Sequence, residues 1–229
     1  HHRAAADRGA RGGVAPSMHS RTLIALAAAA LAAAPVAAQT PDATLDRAVA
    51  AYATVKTARI SFQQTIDNPL TGTSVKSHGE LQQRRPSRFE VKFTEPAGDR
   101  IVSDGEGGVG ECPSTKPGQV IRAKADAEGS GAPDFAAQFL ESPRDNYTVT
   151  GGGAATIDGS ATHSVIMKPR STASPFARVT LWVNDSDALL RRVETVDGSG
   201  VTRQITVTRF SRNAPVDASA FVFHVPAGV

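Results

Sequence analysis

The sequence predicts an antiparallel β-sheet whose few helices are set apart from its strands. Two observations carry this. Apolar residues alternate with period two in about ten segments, joined by short, turn-rich connections. Helical periodicity is confined to two stretches, so no helix stands between successive strands as a parallel sheet would need. A sheet of about ten strands usually curls or closes on itself.

A leader precedes the first element. Residues 1–17 show no periodicity and read as translated upstream sequence. Met18 opens a secretory signal. His19, Ser20 and Arg21 form a short polar start, and Thr22–Leu31 is almost wholly apolar. Val36 and Ala38 then fit a small-residue cleavage site. The apolar run is too short and too rich in alanine for a strong membrane span. Cleavage is expected after Ala38, leaving a single domain, 39–229, soluble in a periplasm-like space.

The leader also owns the excess charge. The chain has 25 basic and 22 acidic residues. Four of the basic residues (Arg3, Arg8, Arg11, Arg21) and one acid (Asp7) precede Gln39, so 21 of each sign remain. A neutral domain lacks the electrostatic footprint of a nucleic-acid binder. The lone cysteine, Cys112, excludes an intramolecular disulfide.

Thr40-Pro41-Asp42 supplies an N-cap, a proline at the first helical position and an early acid. Leu45, Val49, Tyr52 and Val55 then recur at helical spacing, predicting a helix to about Thr57. From Ala58 the period becomes two, with Ile60, Phe62, Gln64 and Ile66 on one face. Asn68-Pro69-Leu70-Thr71-Gly72 is a turn. Strands are expected at Ser74–Arg84, Phe89–Thr94 and Asp99–Ser103, and a short one at Val120-Ile121. Ala123–Gly131 reads as a loop and Pro133–Ser142 as a second helix. Further strands are expected at Asn146–Thr150, Ala161–Lys168, Ala177–Asn184, Leu189–Val196, Val201–Phe210 and Phe221–Val225. Asn184–Asp187 and Asp197–Gly200 mark two of the turns between them.

No enzyme constellation stands out. His78, His163 and His224 lie on separate segments without metal-ligand spacing. Ser103-Asp104-Gly105 is not a nucleophile elbow, and Ser114–Gly118 is not a phosphate loop. No metal or cofactor is called for. What remains is apolar surface. Phe62, Leu81, Phe89, Val91, Phe93, Ile101, Met167, Val179 and Leu181 supply it from strands. Phe135, Phe139 and Leu140 supply it from a helix. On pattern alone this reads first as an ordinary core.

Six segments in register resemble the outer-membrane lipoprotein carrier (LolA-type) family. They are Ser61–Thr65 (SFQQT), Gly79-Glu80-Leu81, Arg85-Pro86, Phe89, Ile101–Gly105 (IVSDG) and Asn213–Val229 (NAPVDASAFVFHVPAGV). The resemblance implies an unclosed antiparallel half-barrel of ten to eleven strands, lidded by helices over an apolar cavity. The twelve apolar residues just named would line that cavity, with Phe89 at its mouth, and take lipoprotein acyl chains. It also implies a monomeric, non-enzymatic periplasmic carrier. Its partners would be acylated lipoproteins, an inner-membrane ABC exporter and an outer-membrane receptor lipoprotein. Arg85 would latch the lid. A related lipid-binding or lipid-sensing domain is the alternative, and a secreted hydrolase a more distant one.

One stretch departs from the family. An aromatic strand is expected after the Asp-Gly turn, where Glu106-Gly107-Gly108-Val109-Gly110-Glu111-Cys112 stands instead. Three glycines predict a poor strand. A one-base shift of codons for this patch can encode Lys-Val-Val-Trp-Val-Ser, so it reads as a short frameshift that ends by Pro113.

Overall fold

The computed structural model describes residues 40–111, 113–124 and 136–228. The leader, Cys112 and Phe135 lie outside them. Helix α1 (Pro41–Ala53) comes first, then strands β1 (Thr57–Asn68), β2 (Thr73–Arg84), β3 (Arg88–Glu95), β4 (Ala97–Asp104), β5 (Gly107–Glu111) and β6 (Val120–Lys124). Two short helices follow, α2 (Ala137–Leu140) and α3 (Pro143–Asn146). Strands β7 (Tyr147–Ile157), β8 (Ser160–Pro169), β9 (Phe176–Asn184), β10 (Leu190–Asp197) and β11 (Thr202–Arg212) complete the sheet.

The eleven strands form one sheet in the order β6-β5-β4-β3-β2-β1-β11-β10-β9-β8-β7. Every neighbouring pair is antiparallel. Two meanders therefore meet where β1 pairs with β11. The end strands β6 and β7 do not pair with each other, so the sheet stays open.

Helix α1 forms as its sequence dictates. Thr40 accepts a hydrogen bond from the Ala43 amide at 3.2 Å, and Pro41 occupies the first turn. Arg144 of α3 donates to the Asp42 and Asp46 carboxylates, at 3.1 and 2.7 Å, tying α3 to the start of α1. The apolar stripe, Leu45, Ala48 and Tyr52, is buried. It shares one core cluster with Met167, Val179 and Leu181 of β8 and β9. The helix ends at Ala53, short of the expected Thr57, because the chain is captured by the sheet. Asn213 accepts the Lys56 amide at 2.8 Å and donates to the Thr54 carbonyl at 3.3 Å, while Thr57 already pairs with Arg84.

Three other expectations change. Within Pro133–Ser142 the described helix is a single turn, α2, because Ser142 takes a left-handed conformation (φ 45°) and Pro143 starts α3. Phe221–Val225 is not a strand. Asp217 caps a 3-10 turn, Ala218–Phe221, by accepting the Ser219 amide at 2.8 Å. That turn packs against β3 and β4, and the C-terminal strap follows it. Two arginines hold it. Arg84 donates to the Val216 carbonyl at 2.6 Å and stacks over Phe221, and Arg100 stacks over Phe223. Arg100 also binds Glu90, which is 1% exposed, at 2.6 Å.

The third change is the glycine patch, which forms β5. It pairs with β4 through Val102↔Val109 and with β6 through Gly110↔Ile121. A ladder needs only backbone groups, so the missing side chains do not prevent it. The turn that launches β5 is fixed by Asp104, whose carboxylate accepts the Glu106 and Gly107 amides at 2.9 and 3.2 Å. The Glu106 bond first, then the Gly107 bond, holds its carboxyl below the usual carboxylate range. A depressed folded-state value means that this turn is stabilised above the unfolded value, about pH 3.9. The stabilisation is lost as pH falls through the folded value. Hydrogen-exchange protection of the Glu106 and Gly107 amides is therefore expected to fall on acidification. Asp104→Ala should show low protection at every pH.

Candidate functional site

The sheet register builds an apolar groove on the part of the inner sheet face that α1 leaves uncovered. Ile60 stands opposite Leu81, Leu81 opposite Val91, and Val91 opposite Ile101, a row across four strands. The next row sets Phe62 opposite Gly79 and Gly79 opposite Phe93. Period-two alternation keeps both rows on one face. With Gln64 from β1, and Arg203, Ile205 and Val207 from β11, they line a groove of about 610 Å³, its open mouth included.

Gly79 is required at its position. A Cβ there would lie 2.6 Å from Phe62 Cζ and 2.8 Å from the Lys92 carbonyl oxygen. Without one, the tip of the Phe62 ring packs against Gly79, and the ring meets Phe93 edge-on, with centroids 5.9 Å apart. Edge-to-face contact adds about 0.5–1.5 kcal/mol beyond the area buried.

The other half of the same face is closed. Met167, Val179 and Leu181 are fully buried there, and Phe139 and Leu140 from α2 are buried with them. Phe139 packs against Phe176, with centroids 5.8 Å apart. Phe89 is 4% exposed in this continuous core, paired with Gln83 and Ser103 rather than lining the groove. Of the residues singled out from sequence, the structure gathers Phe62, Leu81, Val91, Phe93 and Ile101 into the groove. It packs Phe89, Phe139, Leu140, Met167, Val179 and Leu181 beside and beneath the helices, and Phe135 lies outside the described residues. Ile60, Gln64, Ile205, Val207 and Arg203 complete the lining. The alternation that selects Phe62 also selects Ile60 and Gln64.

Arg85 joins the helical cover to the sheet. It follows β2 directly, and its backbone amide donates to the Lys56 carbonyl at 2.9 Å. Its guanidinium donates to the Tyr52 carbonyl, in the last turn of α1, at 2.7 Å. The same group lies 3.8 Å from the Glu141 carboxylate, just past α2. A helix C-terminus carries unsatisfied carbonyls and partial negative charge, which suits a cation.

His78 sits 2.9 Å from Glu95 and His163 2.7 Å from Asp185, each a separate pair. The Ser103 hydroxyl donates to the Ser87 carbonyl at 2.9 Å. Among the described residues no group of His, Cys, Asp and Glu could hold a metal ion, and no helix is long and apolar enough to cross a membrane. What the groove can do is remove apolar matter from water.

Residues 53–224 match the family model described as outer membrane lipoprotein carrier protein LolA. The outer-membrane lipoprotein carrier protein of Bordetella pertussis is 30% identical over 213 residues, covering 90% of this chain and 93% of that protein. Among solved structures, an uncharacterised conserved protein from Thermus thermophilus superposes with a TM-score of 0.51 at 13% identity, covering 82% of this chain and 95% of that one. MucB superposes with a TM-score of 0.50 at 16% identity, covering 82% of this chain and 63% of that one. At these identities the two structures share the fold.

Proposed function

This chain belongs to the outer-membrane lipoprotein carrier family, and on that premise we propose that it shelters lipoprotein acyl chains in the groove and moves them from the inner to the outer membrane. It works in the periplasm, exported by the signal at 18–38 and cut after Ala38. It receives cargo from an inner-membrane ABC exporter and surrenders it to an outer-membrane receptor lipoprotein. The observation that carries this reading is the groove itself: a continuous apolar floor, open to solvent, on a sheet whose other half is sealed by helices.

Magnitudes explain why a carrier is needed and why it must be a modest one. Each buried methylene contributes about 0.8 kcal/mol, so a long acyl chain in water costs on the order of 10 kcal/mol. Release into bulk water is therefore negligible on a useful timescale. The groove's volume of about 610 Å³ counts the open solvent above its floor, and the enclosed space is only about 90 Å³. A long acyl chain therefore needs the space beneath α1, so the helices must lift. Lifting breaks the Arg85–Tyr52 bond, and a hydrogen bond to a charged group is worth about 1.5–3 kcal/mol. That cost lowers affinity for cargo and keeps transfer reversible.

The test is release from membranes. Added to vesicles that contain the exporter, ATP and a lipoprotein, the purified domain should bring the lipoprotein into the soluble fraction as a complex. Lipoprotein that stays in the vesicles, while a known carrier releases it, would refute the reading.

A further inference from the structure

The groove has a polar end, and among the described residues its one lining cation, Arg203, stands there. Along β1 the inward residues run Ile60, Phe62, Gln64, Ile66, from the covered end towards the rim. The first two lie opposite Leu81 and Gly79, whereas Gln64 lies opposite Ser77 and donates to its hydroxyl at 3.2 Å. One step further, Ile66 lies opposite Arg203. Arg203 lines the groove and is exposed. Its guanidinium has no ionic or hydrogen-bonded partner among the described residues. On the neighbouring strand β10, Arg191 binds Asp187 and Arg192 donates to Thr206. The carboxylates nearest in register do not serve Arg203, because Asp67 pairs with Thr202 and Glu194 with Gln204, positions that alternate to the opposite face.

We propose that the groove is an amphiphile site of fixed polarity. One acyl chain lies over Phe62 and the Leu81–Ile101 row, and an anionic head bearing only acceptors, a phosphate or a carboxylate, sits on Arg203. This rests on the groove's being a lipid site, and it adds a class of ligand distinct from a lipoprotein's neutral ester- and amide-linked anchor. Two features support it. The lining passes from apolar side chains to Gln64 and Arg203 towards one end. The guanidinium fork matches a phosphate or carboxylate in two parallel bonds. Because the arginine is exposed, salt will weaken the contact, so its effect is a preference and not an absolute requirement.

The experiment uses the delipidated domain and three single-chain probes below their micellar concentrations at low salt: palmitate, palmitoyl lysophosphatidylglycerol and neutral monopalmitoylglycerol. Titration calorimetry measures each against the wild type and Arg203→Gln. The expected result is that one or both anionic probes bind the wild type about 5–10-fold more tightly than the neutral one. In Arg203→Gln that preference should vanish while the urea midpoint stays unchanged. Palmitate and the lysolipid separate carboxylate from phosphate heads. Equal binding of all three probes, unchanged by the substitution, would overturn the role of Arg203 and leave the lipid groove standing. Failure of every probe to bind would overturn both.

Discussion

Arg85→Leu is expected to load lipoprotein normally and to deliver it poorly. The guanidinium bond to the Tyr52 carbonyl ties the last turn of α1 to the end of β2. Leucine keeps the apolar stem and removes the donors. The lifted state then gains about 1.5–3 kcal/mol relative to the closed one, a factor of roughly 10–100 in population. Cargo that favours the lifted state is held more tightly by up to the same factor, so the step that slows is surrender to the receptor. In a reconstituted two-step assay, release from exporter vesicles should be near wild type. Transfer to receptor-bearing membranes should fall by about tenfold or more. Arg85→Lys should recover part of the loss, because an ammonium can still donate to one carbonyl. Normal delivery by Arg85→Leu would show that the helical cover is not latched there.

Phe62→Ala is expected to damage both stability and acyl binding. The ring is 8% exposed, rests over Gly79 and meets Phe93 edge-on. Removing a core phenylalanine costs about 3–5 kcal/mol, a large share of a typical domain's stability. With an m-value near 2 kcal/mol/M, the urea midpoint should fall by about 1.5–2.5 M. A fluorescent acyl probe should bind about tenfold less tightly, because the groove floor loses contact area. Phe221→Ala separates the two effects. Phe221 is 3% exposed at the end of the 3-10 turn, outside the groove lining. Its truncation should lower the midpoint comparably and leave probe affinity unchanged. Equal loss of affinity in both variants would mean that Phe62 acts only through stability.

Much of this architecture was legible in the sequence because its signals are local. Thr40-Pro41-Asp42 starts α1 as its capping chemistry requires, and the alternation of Ile60, Phe62 and Gln64 fixes which face of β1 is buried. The groove residues Leu81, Val91, Phe93 and Ile101 follow from the same alternation, with hairpins that enforce the register. What was not legible depends on partners distant in the chain. The end of α1 is set by Asn213, 157 residues beyond Lys56. The C-terminal strap has the alternation of a strand, yet Arg84 and Arg100 bind its carbonyl groups and aromatic rings on the outer face. The glycine run forms β5 because its neighbours supply a ladder, which side-chain propensity does not register. Met167, Val179 and Leu181 have the same apolar character as the groove floor. Only the position of α1 assigns them to the sealed half, and no periodicity records that. Arg203 escapes notice because a charged residue at a strand end usually signifies solvent.

The account's central claim is that lipoprotein acyl chains occupy the groove over β1–β4. Site-specific photo-crosslinking tests it most directly. A photoreactive phenylalanine at position 101, on the groove floor, is compared with one at position 59, a β1 position that alternates to the opposite face. Each is irradiated in the periplasm during export of one lipoprotein and of its variant lacking the acylated cysteine. Position 101 should crosslink the acylated form through its acyl portion, and position 59 should not. The non-acylated variant should crosslink at neither. Equal crosslinking of acylated and non-acylated cargo at position 101, or acyl crosslinks confined to position 59, would contradict the claim.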